Sequence, residues 1–175
     1  MNRVSISAAL LTVAAVVGGC GTADDHNDQD VAFARAMIVH HAQAVDMAEL
    51  VPSRSTAKAV IDLAGRVRSA QDPEISLMRD WLAEWDVPEA APSHDSHAET
   101  PGMMSADEMS GLTSLKGPEF DRRWLEMMIR HHQGAVDMAE AEVEKGLDAE
   151  VKALAQKVVD AQRAEISDMQ DLLQL

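Results

Sequence analysis

Thirteen residues, Met37-Ile38-Val39-His40-His41-Ala42-Gln43-Ala44-Val45-Asp46-Met47-Ala48-Glu49, return 91 positions later as Met128-Ile129-Arg130-His131-His132-Gln133-Gly134-Ala135-Val136-Asp137-Met138-Ala139-Glu140. A fold for this chain must place the same pattern in two equivalent environments. Wound as a helix at about 100° per residue, Met37, His40, His41, Ala44, Met47 and Ala48 fall within roughly a third of the circumference, with Asp46 opposite. The second copy sets Met128, His131, His132, Ala135, Met138 and Ala139 on the same stripe, with Asp137 opposite. The two stripes hold four of the seven histidines and four of the eleven methionines.

The repeat continues past the phrase. At the same displacement Leu63-Ala64 matches Leu154-Ala155, Val67 matches Val158 and Ala70-Gln71 matches Ala161-Gln162. Glu74-Ile75-Ser76 matches Glu165-Ile166-Ser167, and Met78 matches Met169, without a gap. Each half therefore predicts two helices and a turn, and a lone helical hairpin has no second layer on which to bury its stripe. Two related hairpins, 30–85 and 119–175, joined by a long crossover over 86–118, predict an all-α four-helix bundle with approximate two-fold symmetry. Aromatic residues are only 3% of the chain. The apolar content comes from alanine, leucine, valine and methionine, which suits helix packing better than a sheet.

Punctuation refines this plan. The first helix begins near Asp30 and is expected to stop at Pro52, with Ser53-Arg54-Ser55-Thr56 capping the next. Pro73 should kink the second helix, because it cannot donate the ladder bond. In the crossover, Ser105-Ala106-Asp107-Glu108 has capping-box spacing and predicts a short helix to about Thr113. Pro118 opens the third helix, Gly146 stops it, and Asp148 caps the fourth.

Residues 1–19 read as a lipoprotein signal peptide. Met1-Asn2-Arg3 supplies a positive start, and Val4 to Val17 is apolar sequence too short to span a bilayer comfortably. Val17-Gly18-Gly19-Cys20 has the small residues of a cleavage box. Cys20 is the only cysteine, so it is the expected lipidation site and no intrachain disulfide can form. A polar tether, 20–29, then leads to the domain, 30–175. The expected location is extracytoplasmic, with the N-terminal lipid anchoring the chain to a bacterial membrane. A net charge of -15 makes nucleic acid an unsuitable partner. Homo-oligomer formation is compatible with the pattern.

The chemistry lies in the stripes. Gln71, Glu74, Ile75 and Met78 share one face of the second helix, and Gln162, Glu165, Ile166 and Met169 repeat it. A carboxylate on a core-facing stripe must be paired or metal-bound, and the facing histidines are the natural partners. Histidine with glutamate alone describes a structural network. Histidine with methionine describes a site for a soft metal ion, because thioethers favour Cu(I) or Ag(I) and imidazole serves copper in either state. The candidate metal residues are Met37, His40, His41, Met47, Met128, His131, His132 and Met138. Glu74, Glu165, Met78 and Met169 are further ligands or supports of the ligands. His94, His97, Met103, Met104 and Met109 in the crossover are either a capture arm for the same metal or incidental. No nucleophile–base phrase is present, so no catalytic residue is assigned. Three readings stay open: a copper-binding protein that buffers or sequesters the metal, a ferritin-like redox protein with an iron or dinuclear site, and a structural or interaction bundle with buried His–Glu networks. The second lacks the Glu-x-x-His pair expected of di-iron carboxylate bundles.

The repeated M-x-x-H-H-x-x-A-x-x-M phrase, the downstream Q-x-x-E-I-x-x-M and the segment Gly102-Met103-Met104-Ser105-Ala106-Asp107-Glu108-Met109 together resemble the bacterial DUF305 family (domain of unknown function three-zero-five). The resemblance runs from about Asp30 to the C-terminus. It implies a ferritin-like four-helix bundle placed outside the cytoplasm and, for some members, copper binding and copper tolerance. Matched residue by residue, it points to the His-His pairs with Met37, Met47, Met128 and Met138. Where the family pattern has glutamine and glycine after the histidines, as Gln133-Gly134 does, the first copy has Ala42-Gln43.

Overall fold

The computed structural model describes residues 25–89 and 100–174. The expected signal peptide, Cys20, His94 and His97 lie outside the described residues. Within them the chain is all helical, without a strand: α1 (Asp28–Arg54), α2 (Lys58–Glu84), α3 (Ala106–Ser114), α4 (Gly117–Lys145) and α5 (Ala149–Leu173). No helix among the described residues is long and apolar enough to cross a membrane.

The helix ends follow local chemistry. Asn27 and Asp30 form a reciprocal capping box, so α1 starts at Asp28, inside the segment read as tether. Ser105 and Glu108 form a second capping box at α3, as the spacing predicts. Asp148 caps α5 by accepting from the amides of Glu150 and Val151 at 2.7 and 3.1 Å. Pro52 does not stop α1. It lies in the last turn, and the helix runs on to Arg54 until Ser55 N–H closes on Val51 O at 2.9 Å. A proline removes only its own ladder bond, and so near the end of a helix little remains to be interrupted. The Ser53–Thr56 cluster supplies no side-chain cap to α2 either, for the N-cap is Ala57. Ser55 Oγ instead accepts from Ala57 N–H, tightening the turn. α2 is continuous across Pro73.

α1 packs along α2 and α4 along α5, and the two hairpins meet through α1 against α4. Two apolar clusters result. One gathers Phe33, Met37 and Ile38 with Met78, Trp81, Ala135, Ala139, Val151 and Val158. The other gathers Ala44, Met47 and Val51 with Leu63, Val67, Trp124, Met128 and Met169, and takes in Met104 and Leu112 from the crossover. Each large side chain fully buried this way contributes about 1.5–3 kcal/mol. Along α1 the histidines fall between Ile38 of one cluster and Ala44 of the other. Along α4 they fall between Met128 and Ala135. The histidines thus form a polar layer between two apolar clusters.

Candidate metal centre

All four histidines of the repeat, His40, His41, His131 and His132, are 0% exposed. Helical spacing explains their pairing: adjacent residues diverge by about 100°, so the two rings of each pair take different neighbours. His41 and His132 turn toward their own hairpin partner. His41 Nε2 lies 3.0 Å from Glu74 Oε2, and His132 Nε2 lies 2.8 Å from Glu165 Oε2. His40 and His131 turn toward each other, with ring centroids 3.7 Å apart and planes tilted by 36°. A residue that touches its own repeat equivalent lies close to the local two-fold axis, so this pair marks the centre of the layer.

The crossover roofs the pair. Pro101 O accepts a hydrogen bond from His40 Nε2 at 3.1 Å. Gln43 grips the backbone of Met104 from both sides, donating to its carbonyl at 2.9 Å and accepting from its N–H at 2.7 Å. Arg130 reaches Met104 Sδ and Glu108. Gly134 is where the crossover touches α4, since a Cβ there would lie 2.0 Å from Pro101 O. Gly102 has φ +77°, and a Cβ on it would lie 2.7 Å from Arg130 O. Val39/Arg130, Ala42/Gln133 and Gln43/Gly134 are the positions at which the two copies differ. Two of these three supply the contacts to the crossover. The departure from the family pattern at Ala42-Gln43 is therefore the footprint of one strap lying across two related helices.

Burial governs the protonation of the layer. It pushes His40 down to about 3, helped by charge repulsion from His41 and opposed by the bond to Pro101. Burial likewise lowers His41 against the pull of Glu74, and lowers His131 well below the ordinary value, with His40 adding to the effect. For Glu74, burial would raise the carboxyl, but the hydrogen bond from His41 and the hydrogen bond and charge of Lys157 outweigh it and leave it ionised below its usual range. Lys157 Nζ donates to Glu74 Oε1 at 3.1 Å.

These bonds assign tautomers. An imidazole facing an ionised carboxylate or a carbonyl through Nε2 carries its proton there, leaving an in-plane lone pair on Nδ1. Nδ1 of His40, His41 and His132 is buried without a partner, and His131 has no hydrogen bond of good geometry at either nitrogen. Buried imidazoles that hold a free lone pair fit a metal ion of the imidazole-binding kind. The methionines add soft donors nearby in the sequence: Met37, Met47, Met78, Met128 and Met169 are all 0% exposed. Met138, the counterpart of Met47, is only half-buried, at the edge of the first cluster. Met103 and Met109 are half-buried and Met104 is buried. Asp46 and Asp137 face solvent. Among the described residues no three His, Cys, Asp or Glu side chains are arranged to hold a metal ion, so a site here needs sulfur beside imidazole.

The model of the family described as "Domain of unknown function (DUF305)" matches residues 30–173. The chain belongs to the DUF305 family. This DUF305 chain is similar to a secreted DUF305 protein from Streptomyces coelicolor, so described in its crystal structure: 36% identity over 83% of this chain and 91% of that one, TM-score 0.77. It is similar to a DUF305 fragment from Deinococcus radiodurans, at 37% identity over 84% and 96% of the two chains, TM-score 0.78. It is also similar to CopM in the Cu(I)-bound form, at 29% identity over 83% and 95%, TM-score 0.71. CopM has been solved with Cu(II) and with silver as well. No curated protein sequence matches the chain.

Proposed function

We propose that this DUF305 protein binds copper as cargo in the histidine layer and buffers or sequesters it outside the cytoplasm. The observation that carries the reading is the set of buried imidazole nitrogens left without partners on four histidines. Glu74, Glu165 and the Pro101 carbonyl each take the Nε2 side of a ring and fix its orientation. The Nδ1 side of each ring is then left free as a donor, and at His40, which burial lowers to about 3, protons do not compete for it near neutral pH. Thioethers of Met37, Met78, Met128 and Met169, with Met47 and Met138, would supply the softness that selects Cu(I). CopM, solved with copper and with silver, supports that choice of metal.

The two hairpins fit a ferritin-like four-helix bundle over 30–175. Residues 1–19 fit a signal peptide, and 20–29 a tether from a lipidated Cys20 to that domain. The relative described as secreted supports an extracytoplasmic place.

The test is elemental analysis and copper titration of the chain beside His131→Leu, which keeps volume and removes both free nitrogens. Tight binding by the wild type, lost in the variant while helicity is kept, is the expected result. Equal affinity in both, or none in either, overturns the reading. The purely structural alternative is favoured by the His41–Glu74 and His132–Glu165 bonds, and it predicts no affinity at all.

A further inference from the structure

Asp30 and Glu142 form a carboxyl pair that the histidine layer does not use, and both are 0% exposed. Asp30 sits in the first turn of α1 and collects backbone donors from two directions. Asn27 N–H donates at 2.6 Å from its own capping box, while Leu147 and Asp148 donate at 3.1 and 3.0 Å from the α4–α5 turn. Burial would push Asp30 up, but the bonds from Asn27, Glu142, Leu147 and Asp148 hold it below the ordinary value. It is the ionised member.

Glu142, in the last turn of α4, is the opposite case. Both of its carboxyl oxygens are buried without a hydrogen-bond partner of good geometry. A Cβ on Gly146 would lie 1.8 Å from its Oε1. Gly146 has φ -65°, so its backbone does not require glycine; the missing side chain is what seats the carboxyl against the turn. The other charged groups here leave Glu142 without a strong partner. Lys152 of α5 attracts it weakly, with its Nζ donating to Gly146 O at 3.1 Å. The Asp148 carboxylate is committed to capping α5. Gln29 offers only a neutral amide. A bare carboxylate in this position would be costly, and a proton supplies the missing donor.

We propose that Asp30 and Glu142 share one proton, donated by Glu142 to Asp30, and that this bond latches the start of α1 onto the α4–α5 turn in a pH-dependent way. Burial, with the bond to Asp30 and its charge, raises Glu142 to about 7. The latch is closed below neutral pH and opens above it, where two carboxylates face each other. The repeat shows that the pair is an addition to the fold and not a by-product of it. Asp121 occupies the position equivalent to Asp30, but the position equivalent to Glu142 holds Val51. The latch therefore acts at one end only, where the chain enters the domain.

The experiment is urea unfolding of the full-length chain and of Glu142→Gln from pH 4.5 to 8.5, with carbon NMR of the Glu142 carboxyl. Its pKa stands at about 7 folded against 4.5 ordinarily, so proton retention favours the folded state below 4.5 and is lost as pH rises to 7. The folded-to-unfolded ratio of the wild type, relative to Glu142→Gln, should fall about tenfold per pH unit across that window and level off above it. The Leu147 and Asp148 amides should lose exchange protection above pH 7 in the wild type and keep it in the variant. A flat ratio, or a Glu142 carboxyl titrating near 4.5, overturns the proposal. If the variant does not fold, the wild-type titration and amide exchange decide alone.

Discussion

Replacing Gly134 with alanine sets two effects of known sign against each other. Gly134 lies inside α4, where alanine improves helix propensity by about 0.8–1.0 kcal/mol. The added Cβ, however, would lie 2.0 Å from Pro101 O, 2.4 Å from Pro101 C and 2.7 Å from Gly102 N, all backbone atoms that no rotamer change can move. Ordinary contact begins at 3.4 Å, so the strap must retreat by 1.4 Å (3.4 − 2.0). That displacement carries Pro101 O out of reach of His40 Nε2, now 3.1 Å away. Overpacking of this kind costs about 1–3 kcal/mol, and a buried imidazole left unpaired costs about 1–3 kcal/mol more. The overlap wins, with a net loss of about 1–5 kcal/mol.

The assay is urea unfolding of Gly134→Ala beside Gly65→Ala. Gly65 is exposed in α2, and a Cβ added there would meet nothing within 4 Å. Its variant therefore reports propensity alone and should gain up to about 1 kcal/mol. A Gly134→Ala protein as stable as Gly65→Ala, with an unchanged His40 proton signal, refutes the argument that the glycine exists to admit the strap.

Two further outcomes follow from the layer. Glu74→Gln keeps an acceptor for His41 but removes the charge that makes the ring a better donor, and copper affinity by competition titration should fall about 10–100-fold with the helix content intact; unchanged affinity would detach Glu74 from the site. In acid, His40 at about 3 folded and 6.5 unfolded binds fewer protons in the native state. Its contribution is therefore complete above pH 6.5 and lost as pH falls toward 3, at about 1.4 kcal/mol per pH unit. Urea midpoints of His40→Gln should lack that share of the slope, and equal slopes would show that the ring is not held neutral.

Much of the fold is legible in the sequence because it rests on local rules. The 91-residue displacement predicts two hairpins, and the caps at Ser105 and Asp148 are where side-chain chemistry puts them. The pairing of His41 with Glu74 and of His132 with Glu165 follows from two stripes facing across a hairpin. What escapes the sequence is whatever depends on the crossover. A backbone carbonyl such as Pro101 O leaves no residue-type signature, so nothing in the pattern names the partner of His40. Met47 and Met138 are the same residue in the same phrase, yet only Met47 is fully buried. Its cluster is closed by the buried Met104 and Leu112, whereas among the described residues the cluster beside Met138 receives only the partly buried Val87 from the crossover and nothing from α3. Pro52 departs from expectation because the proline rule holds for helix interiors and loses its force in a last turn. The signal for the strap is nonetheless present, in the few positions where the two copies differ.

The histidine–glutamate network and the proposed metal site do not compete for the same atoms. A carboxylate or carbonyl occupies the Nε2 edge of His40, His41 and His132, and the Nδ1 edge is what a metal would use. His131 separates the two readings, since neither of its nitrogens makes a hydrogen bond of good geometry, a weak approach to the His40 backbone aside, and burial holds it neutral. As a purely structural residue it would be a defect of about 1–3 kcal/mol, at the centre of the layer, in a position where leucine would pack without that cost. The metal-free His131→Leu protein should then be more stable than the wild type by about that amount while losing copper. A variant that gains stability and loses the metal places His131 there for binding; one that loses stability in the metal-free state shows that the ring has a structural partner after all.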